Sequence, residues 1–400
     1  LSHISKGLCL PKRIVPVIIV AVLATVPLGA AVPPVATPPV LPSTLEITAP
    51  TAVMIDVGSG RVLFERQSHR RFLPASLTKI MTSYVAFELI AQGKLKLDQR
   101  FPMRPETFHQ WHRVGSTMFI ENNAQVSVAD LLSGIVTVSA NDACVVLAEG
   151  IADSVPGFTA MMNAQAKALG MKDTHYHTPN GWMDEGQTYV SAADLATLSM
   201  AMIVKHPDLY ARFYGHDRMT WNGISQENHN PLYGHSPGAD GVKTGFTNEA
   251  GYGFVGSVIR DGRRLMMVVG GYDRPAVRAK ESRDFIEWGF AAWDALPLFQ
   301  AGAHVGEATV QGGNARAVGL VAPQRLFVTV PKGAAHRYNL SIRYKGPLRA
   351  PIAKGEPVAT LVVKVRGLPD EQVSLVAADA VGKASAVDRL RNGFLDIVGS

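Results

Sequence analysis

The chain has 400 residues, 47% of them apolar and 18% charged, with a formal net charge of +6. That composition excludes wholesale disorder, and the length suits two folded domains plus targeting segments. Removing the three leading cations Lys6, Lys12 and Arg13 from +6 leaves +3, a field too weak to make nucleic acid the main partner.

Taken in chain order, a basic stretch, the apolar run 14–26 and the small residues Gly29, Ala30 and Ala31 predict a signal peptide over residues 1–31. A retained anchor is the alternative, but the apolar run is short for a span and contains Pro16. Export is the expectation, to the periplasm or the outer face of the cytoplasmic membrane. Cleavage leaves Cys144 as the single cysteine, so no internal disulfide can form. Its apolar neighbours, residues 143–148, point to a small buried side chain rather than a nucleophile. Residues 32–47 form a proline-rich linker.

A first folded domain is predicted over residues 48–297. Residues 53–57 and 62–64 flank Gly58-Ser59-Gly60 in a hairpin pattern. Helical spacing follows over 76–92, then over 130–138, 142–151, 155–169 and 190–203. Residues 251–259 and 263–270 flank Asp261-Gly262, a tight-hairpin signal, and 278–292 closes the domain as a helix. Strands early and late with helices between predict an α+β fold, an antiparallel sheet whose first and last parts pair under covering helices. Runs 325–330, 338–344 and 358–365 lie between Gly and Pro turns and predict a small all-β domain over 298–385. Residues 386–400 read as a short amphipathic tail. It contains Gly393 and mixes Arg389 and Arg391 with Asp388 and Asp396, so weak or absent contact with a membrane surface is expected.

Three short patterns carry chemistry. Ser76-Leu-Thr-Lys79 sits at a helix start, where residues three apart share a face and the amine can approach the hydroxyl. A serine needs such a base, and lysine serves only if its pKa is lowered. Ser139-Ala-Asn141 supplies a hydroxyl and an amide from a turn between two helices. Lys243-Thr244-Gly245, on a predicted strand, supplies a cation, a hydroxyl and a residue without a side chain where substrate could lie against the strand. Each alone is bland: a surface lysine, a helix cap, a strand end. Together, in this order, they match the trio of penicillin-binding proteins and class A β-lactamases.

With Arg71-Phe-Leu-Pro-Ala-Ser76, Val138-Ser-Ala-Asn-Asp-Ala-Cys144, Asn180-Gly181, Asn228-His-Asn230 and Asp240-Gly-Val-Lys-Thr-Gly245, residues 52–288 resemble the low-molecular-mass penicillin-binding proteins that act as serine-type D-alanyl-D-alanine carboxypeptidases. The resemblance implies that Ser76 is acylated by the terminal D-Ala-D-Ala of a peptidoglycan stem peptide, and by β-lactams as covalent inhibitors. It implies that Lys79 is the general base, kept neutral partly by Lys243, that Ser139 relays a proton and that Asn141 holds Lys79. Lys243, Thr244, Gly245 and Arg278 are implied in substrate binding, with the backbone N–H groups of Ser76 and Phe246 as the oxyanion hole. No cofactor and no metal are implied. Two departures stand out: Phe246 where many relatives have His, and His229 where some have Arg.

Other chemistries fit less well. Gly234-His-Ser-Pro-Gly238 has the form of a nucleophile elbow, but no strand precedes it and no helix follows it. A β-lactamase needs a dedicated glutamate between Asn141 and Lys243, and Glu149, Glu185 and Glu227 lack the expected setting. His175 and His177 form no metal motif. A D,D-endopeptidase shares the same acylation chemistry, and a non-catalytic wall-binding scaffold is the remaining alternative.

Overall fold

Two strands, β1 (Thr51–Asp56) and β2 (Arg61–Arg66), pair antiparallel around the glycine turn. They open the described part of a computed structural model, residues 45–333 and 338–386, which belong to one compact unit. The expected signal peptide, the linker up to residue 44 and the tail from residue 387 lie outside the described residues.

A 3-10 turn (Ala75–Thr78) runs into helix α1 (Lys79–Ala91). Short elements β3 (Arg100–Pro102), α2 (Pro105–Trp111) and β4 (Gln125–Ser127) precede the helices α3 (Val128–Thr137), α4 (Asn141–Ala152) and α5 (Val155–Ala168). Helices α6 (Ala192–Lys205) and α7 (Pro207–Phe213) lead to a hairpin of β5 (Arg218–Trp221) and β6 (Ile224–Glu227). Strands β7 (Ala239–Thr247), β8 (Gly251–Arg260) and β9 (Arg263–Tyr272) and helix α8 (Pro275–Ala292) complete this region. Serine caps explain why three helices start where they do: the hydroxyls of Ser127, Ser154 and Ser191 accept from the backbone N–H of Asp130, Gly157 and Asp194.

The sheet has the order β2-β1-β9-β8-β7 and is antiparallel throughout. Strands from the two ends of the region meet where β1 pairs with β9, as the sequence predicts. Side chains alternate across it: Val53, Ile55, Met266 and Val268 join a core with α1 and the middle helices, while Ala52, Met54, Leu265 and Met267 join another under α8. The strand order leaves β7 at one edge of the sheet, and its Gly245 packs against the 3-10 turn.

Strand β10 (Trp293–Phe299) pairs with β13 (Leu326–Pro331). Strands β11 (His304–Gln311), β12 (Ala317–Val321), β14 (Tyr338–Arg343), β15 (Leu348–Arg349), β16 (Pro357–Val365) and β17 (Glu371–Ala377) form a mixed sheet ordered β14-β16-β17-β12-β11-β15, with β11 and β15 parallel. Leu320, Val328, Leu361, Val363 and Leu375 fill its core. This β-rich region meets the first at the β1–β2 hairpin. Arg61 is ion-paired with Glu371, Arg263 Nε with Asp56 Oδ2 at 2.8 Å, and Thr329 donates to Asp56 Oδ2 at 2.9 Å, all of them buried. A Cβ at Gly58 would meet the Phe327 ring at 2.7 Å, so the turn glycine also serves this junction.

Candidate active site

The Ser76-to-Lys79 spacing falls on a 3-10 turn rather than on the first turn of an α-helix. In that tighter winding residues three apart eclipse one another, and Lys79 Nζ lies 2.7 Å from Ser76 Oγ. Ala75, just before the serine, has φ of 47° and is buried, a left-handed conformation held by its surroundings. Two glycines permit the packing that holds it. A Cβ at Gly245 would stand 2.6 Å from Pro74 O, so this glycine lets strand β7 lie against the turn that carries Ser76. A Cβ at Gly181 would collide with the Ala75 carbonyl, so the 179–181 segment fits there only as glycine. Close backbone approach, besides the expected room for substrate, therefore accounts for Gly245.

Lys79 is 1% exposed, and its amine sits 2.9 Å from Asn141 Oδ1 and 2.7 Å from Asn180 O. Both of those oxygens only accept. Asn141 Nδ2 donates to Val114 O at 3.1 Å, which fixes the amide orientation. A neutral amine can thus give its two hydrogens to Asn141 and Asn180 and turn its lone pair to the Ser76 hydroxyl. Burial pulls the Lys79 pKa down to about 8, against the pull of Asp142. Lys243, 5% exposed, is pushed well below the ordinary lysine value by burial first, then by Lys79 and Arg278. Burial is thus the leading cause at both lysines, and repulsion from Lys79 adds to it at Lys243.

Buried Asp142 anchors the neighbouring loop by accepting from the backbone N–H of Met118 at 3.1 Å and Ile120 at 3.2 Å. That loop's Ser116 carbonyl in turn accepts from Asn141 N at 2.7 Å. Ser139 lies between α3 and α4 with φ of 65° and is buried. Burial pushes the Cys144 thiol up to about 12, in keeping with a packing role.

A cleft of about 390 Å3 is lined by Ser76, Ser139, Thr244, Gly245, Phe246 and Arg278, with Ser116, His229 and Tyr252 completing the wall. Lys79, Asn141 and Lys243 stand behind it, so the structure brings all nine singled-out residues together. Phe246 stacks on Tyr252 with ring centroids 4.1 Å apart, and the Arg278 guanidinium lies 5.6 Å from the Tyr252 ring centre. Arg278 Nε is buried without a hydrogen-bond partner among the described residues. His229 is held below the usual histidine value by burial and by Lys243 and Arg278.

A family model described as D-alanyl-D-alanine carboxypeptidase matches residues 37–273, more than half of the chain. The chain belongs to that serine-type carboxypeptidase family. A second model, the C-terminal domain of penicillin-binding protein 5, matches residues 293–383 of the carboxypeptidase. D-alanyl-D-alanine carboxypeptidase DacA of Haemophilus influenzae is 36% identical over 351 residues, 86% of this chain and 88% of the relative. The crystal structure of penicillin binding protein 5 from Haemophilus influenzae superposes with a TM-score of 0.71 at 35% identity, covering 85% of this chain and 99% of that one. Penicillin-binding protein D2 from Listeria monocytogenes, solved in an ampicillin-bound form, gives a TM-score of 0.56 at 32% identity, covering 62% of this chain and all of that one.

Some of the carboxypeptidase's cleft escaped sequence reasoning. The Asn180 carbonyl, Ser116 and Tyr252 act through the backbone or from positions set by long-range packing. The β5–β6 hairpin, whose Gln226 donates to Thr117 O at 3.1 Å beside the cleft, had a signal in Asn222-Gly223, both at positive φ.

Proposed function

We propose that Ser76 is the nucleophile by which this carboxypeptidase removes the terminal D-alanine from peptidoglycan stem peptides, and that β-lactams acylate the same hydroxyl. The neutral Lys79 amine takes the Ser76 proton as Oγ bonds to the carbonyl carbon of the penultimate D-alanine. The backbone N–H groups of Ser76 and Phe246 receive the oxyanion. The C–N bond then breaks, and Ser139 passes a proton to the departing amine. Water adds to the acyl-enzyme with Lys79 again as base, releasing the shortened peptide and restoring Ser76.

The observation that carries this proposal is a pair of desolvated cations without acid partners. Among the described residues neither buried Lys243 nor half-buried Arg278 has a carboxylate in ion-pair contact; Arg278 lines the cleft with Thr244, and Lys243 stands behind it. A C-terminal carboxylate is the group that would satisfy them. None of Glu149, Glu185 and Glu227 lines the cleft, which weighs against a β-lactamase. The signal-like N-terminus supports an exported enzyme at the wall, with residues 48–297 as its catalytic domain and 298–385 as an accessory β domain.

Intact-mass measurement after benzylpenicillin treatment tests the proposal. A penicilloyl mass on the parent, none on Ser76→Ala, and D-alanine release from a D-Ala-D-Ala peptide by the parent alone are expected. An unlabelled parent would refute the acyl-serine proposal and favour a binding scaffold.

A further inference from the structure

Two stretches of chain far apart in the sequence hold the Lys79 amine. Residues 179–182 bring the Asn180 carbonyl to within 2.7 Å of Nζ, and they are fastened to α1 by Thr82 Oγ1, which donates to the Pro179 carbonyl. The loop after α2, residues 112–117, acts through Asn141, whose Oδ1 lies 2.9 Å from the amine. There Val114 O accepts from Asn141 Nδ2 at 3.1 Å, and Ser116 O accepts from its backbone N–H at 2.7 Å. Among the described residues no hydrogen bond or ion pair joins the two stretches directly, so what links them is packing.

Trp182 supplies that packing. Its backbone N–H donates to Asn180 Oδ1 at 3.0 Å, which shapes the turn that carries the Asn180 carbonyl. Its ring meets the other stretch at Gly115, where a Cβ would come within 2.7 Å of both the indole and Asn141 Nδ2. Gly115 has φ of 64°, and its lack of a side chain lets the indole lie against the loop backbone. Trp111, buried at the end of α2, meets the indole edge-to-face with ring centres 5.8 Å apart. The indole lines no part of the cleft that holds Ser76, so it reaches the reaction through the groups around Lys79.

We infer that Trp182 is a positioning residue: it locks residues 179–182 and 112–117 together, so that the Asn180 carbonyl and the Asn141 amide keep the Lys79 amine aimed at Ser76 Oγ and closed to water. This rests on the proposed role of Lys79 as the base. Truncating the ring leaves a void where the two stretches meet, and a packed interior closes such a void only in part. Both oxygens then hold the amine less firmly, water reaches it, and the burial that lowers its pKa is partly undone. Asp142 and Cys144 on α4 and Lys243 on β7 are the titratable groups that act on the amine. The substitution leaves all three in place, so a changed titration reports the packing.

The test is the pH dependence of penicilloyl formation by the full chain carrying Trp182→Ala or Trp182→Phe. The parent rate should bend near 8. In Trp182→Ala the bend should move up by about half a unit to one unit, which lowers the rate at about pH 7 by about threefold to tenfold. Trp182→Phe, which keeps a ring against Gly115, should stay within about twofold of the parent. With a D-Ala-D-Ala peptide, KM should hold in both variants while kcat falls in Trp182→Ala. A Trp182→Ala bend at the parent's pH, or a loss carried by KM instead of kcat, overturns the inference. Should Trp182→Ala fail to fold, Trp182→Val takes its place with the same two outcomes. A parent that does not bend near 8 sinks the Lys79 assignment and this inference with it, whereas a parent bend near 8 beside an unmoved variant removes the Trp182 role alone.

Discussion

Two sets of desolvated cations lie on or against the same five-stranded sheet and are treated in opposite ways. At the junction with the β-rich region, Arg61 is paired with Glu371 and Arg263 with Asp56, and Arg263 also donates to the Trp293 carbonyl at 2.8 Å. At the cleft, Lys79, Lys243 and Arg278 have no carboxylate in ion-pair contact among the described residues, and burial lowers the pKa of all three. Burying a cation without a counter-charge costs stability. The junction avoids that cost within the chain, whereas the cleft leaves it for a substrate carboxylate to relieve. A buried cation's partner, more than its burial, thus separates structural from functional use.

Replacing Lys79 by Ala is the harshest way to break the comparison. It removes the base along with one unpaired cation, so acylation by penicillin should fall by about 10²- to 10⁴-fold. The melting temperature should change less than for a junction cation, because relief of the desolvated amine offsets the loss of its hydrogen bonds to Asn141 and Asn180. Stopped-flow acylation and calorimetry read the two effects. A normal acylation rate would remove Lys79 from the proposed role.

The junction should behave in the opposite sense. Arg61→Leu leaves Glu371 buried without its cation, a change that costs about 3–5 kcal/mol. Pairing Arg61→Leu with Glu371→Leu should recover most of that, while D-alanine release by the folded protein stays near normal in both. Burial already raises the Glu371 pKa to about 7, against the pull of Arg61. Without Arg61 the carboxyl can remain protonated in acid but must ionise unpaired in base, so the single variant's deficit should grow as pH rises above about 7. Denaturant melts at about pH 6 and about pH 9, roughly one unit below and two units above that value, decide it, and a deficit independent of pH would show that Glu371 does not titrate at the junction.

Much of this was legible in the sequence, for reasons that differ by element. The β1–β2 and β8–β9 hairpins announced themselves through glycine turns, and in the latter Asp261 and Gly262 both adopt positive φ. The pairing of β1 with β9 followed from strands placed at both ends of the region. Ser76, Lys79, Ser139 and Asn141 were readable because their spacing is local and their chemistry needs those atoms. The Arg61–Glu371 and Asp56–Arg263 pairs were not, since ion pairs spanning 310 and 207 positions leave no local pattern. The short helices α2 and α7, each seven residues long, carry too few turns for a clear apolar period.

Arg278→Gln sharpens the comparison on the cleft side. The unpaired guanidinium is a source of strain in the free protein and, by the proposal, a carboxylate receptor in the complex. Loss of a charge-assisted contact should raise KM for the peptide by about tenfold to a hundredfold, with a smaller effect on kcat. The free protein should be no less stable, unlike Arg61→Leu. Peptide kinetics with a parallel thermal melt settle both, and a lower melting temperature with unchanged KM would move Arg278 into the structural set.

The mildest perturbation is pH itself. Burial brings Lys79 from the ordinary lysine value of 10.5 to about 8. Only the neutral amine can accept the Ser76 proton, so the rate constant for acylation should rise about tenfold per pH unit below that value and level off above it. A lysine in water would place the bend more than two units higher. His229, whose pKa burial and its cationic neighbours lower, would place it below 6.5 if it were the base. Penicilloyl formation measured from pH 6 to pH 10, about two units to each side, therefore identifies the base by where the rate bends. A bend near 8 assigns it to Lys79, and a bend near or below the ordinary histidine value assigns it to His229 instead.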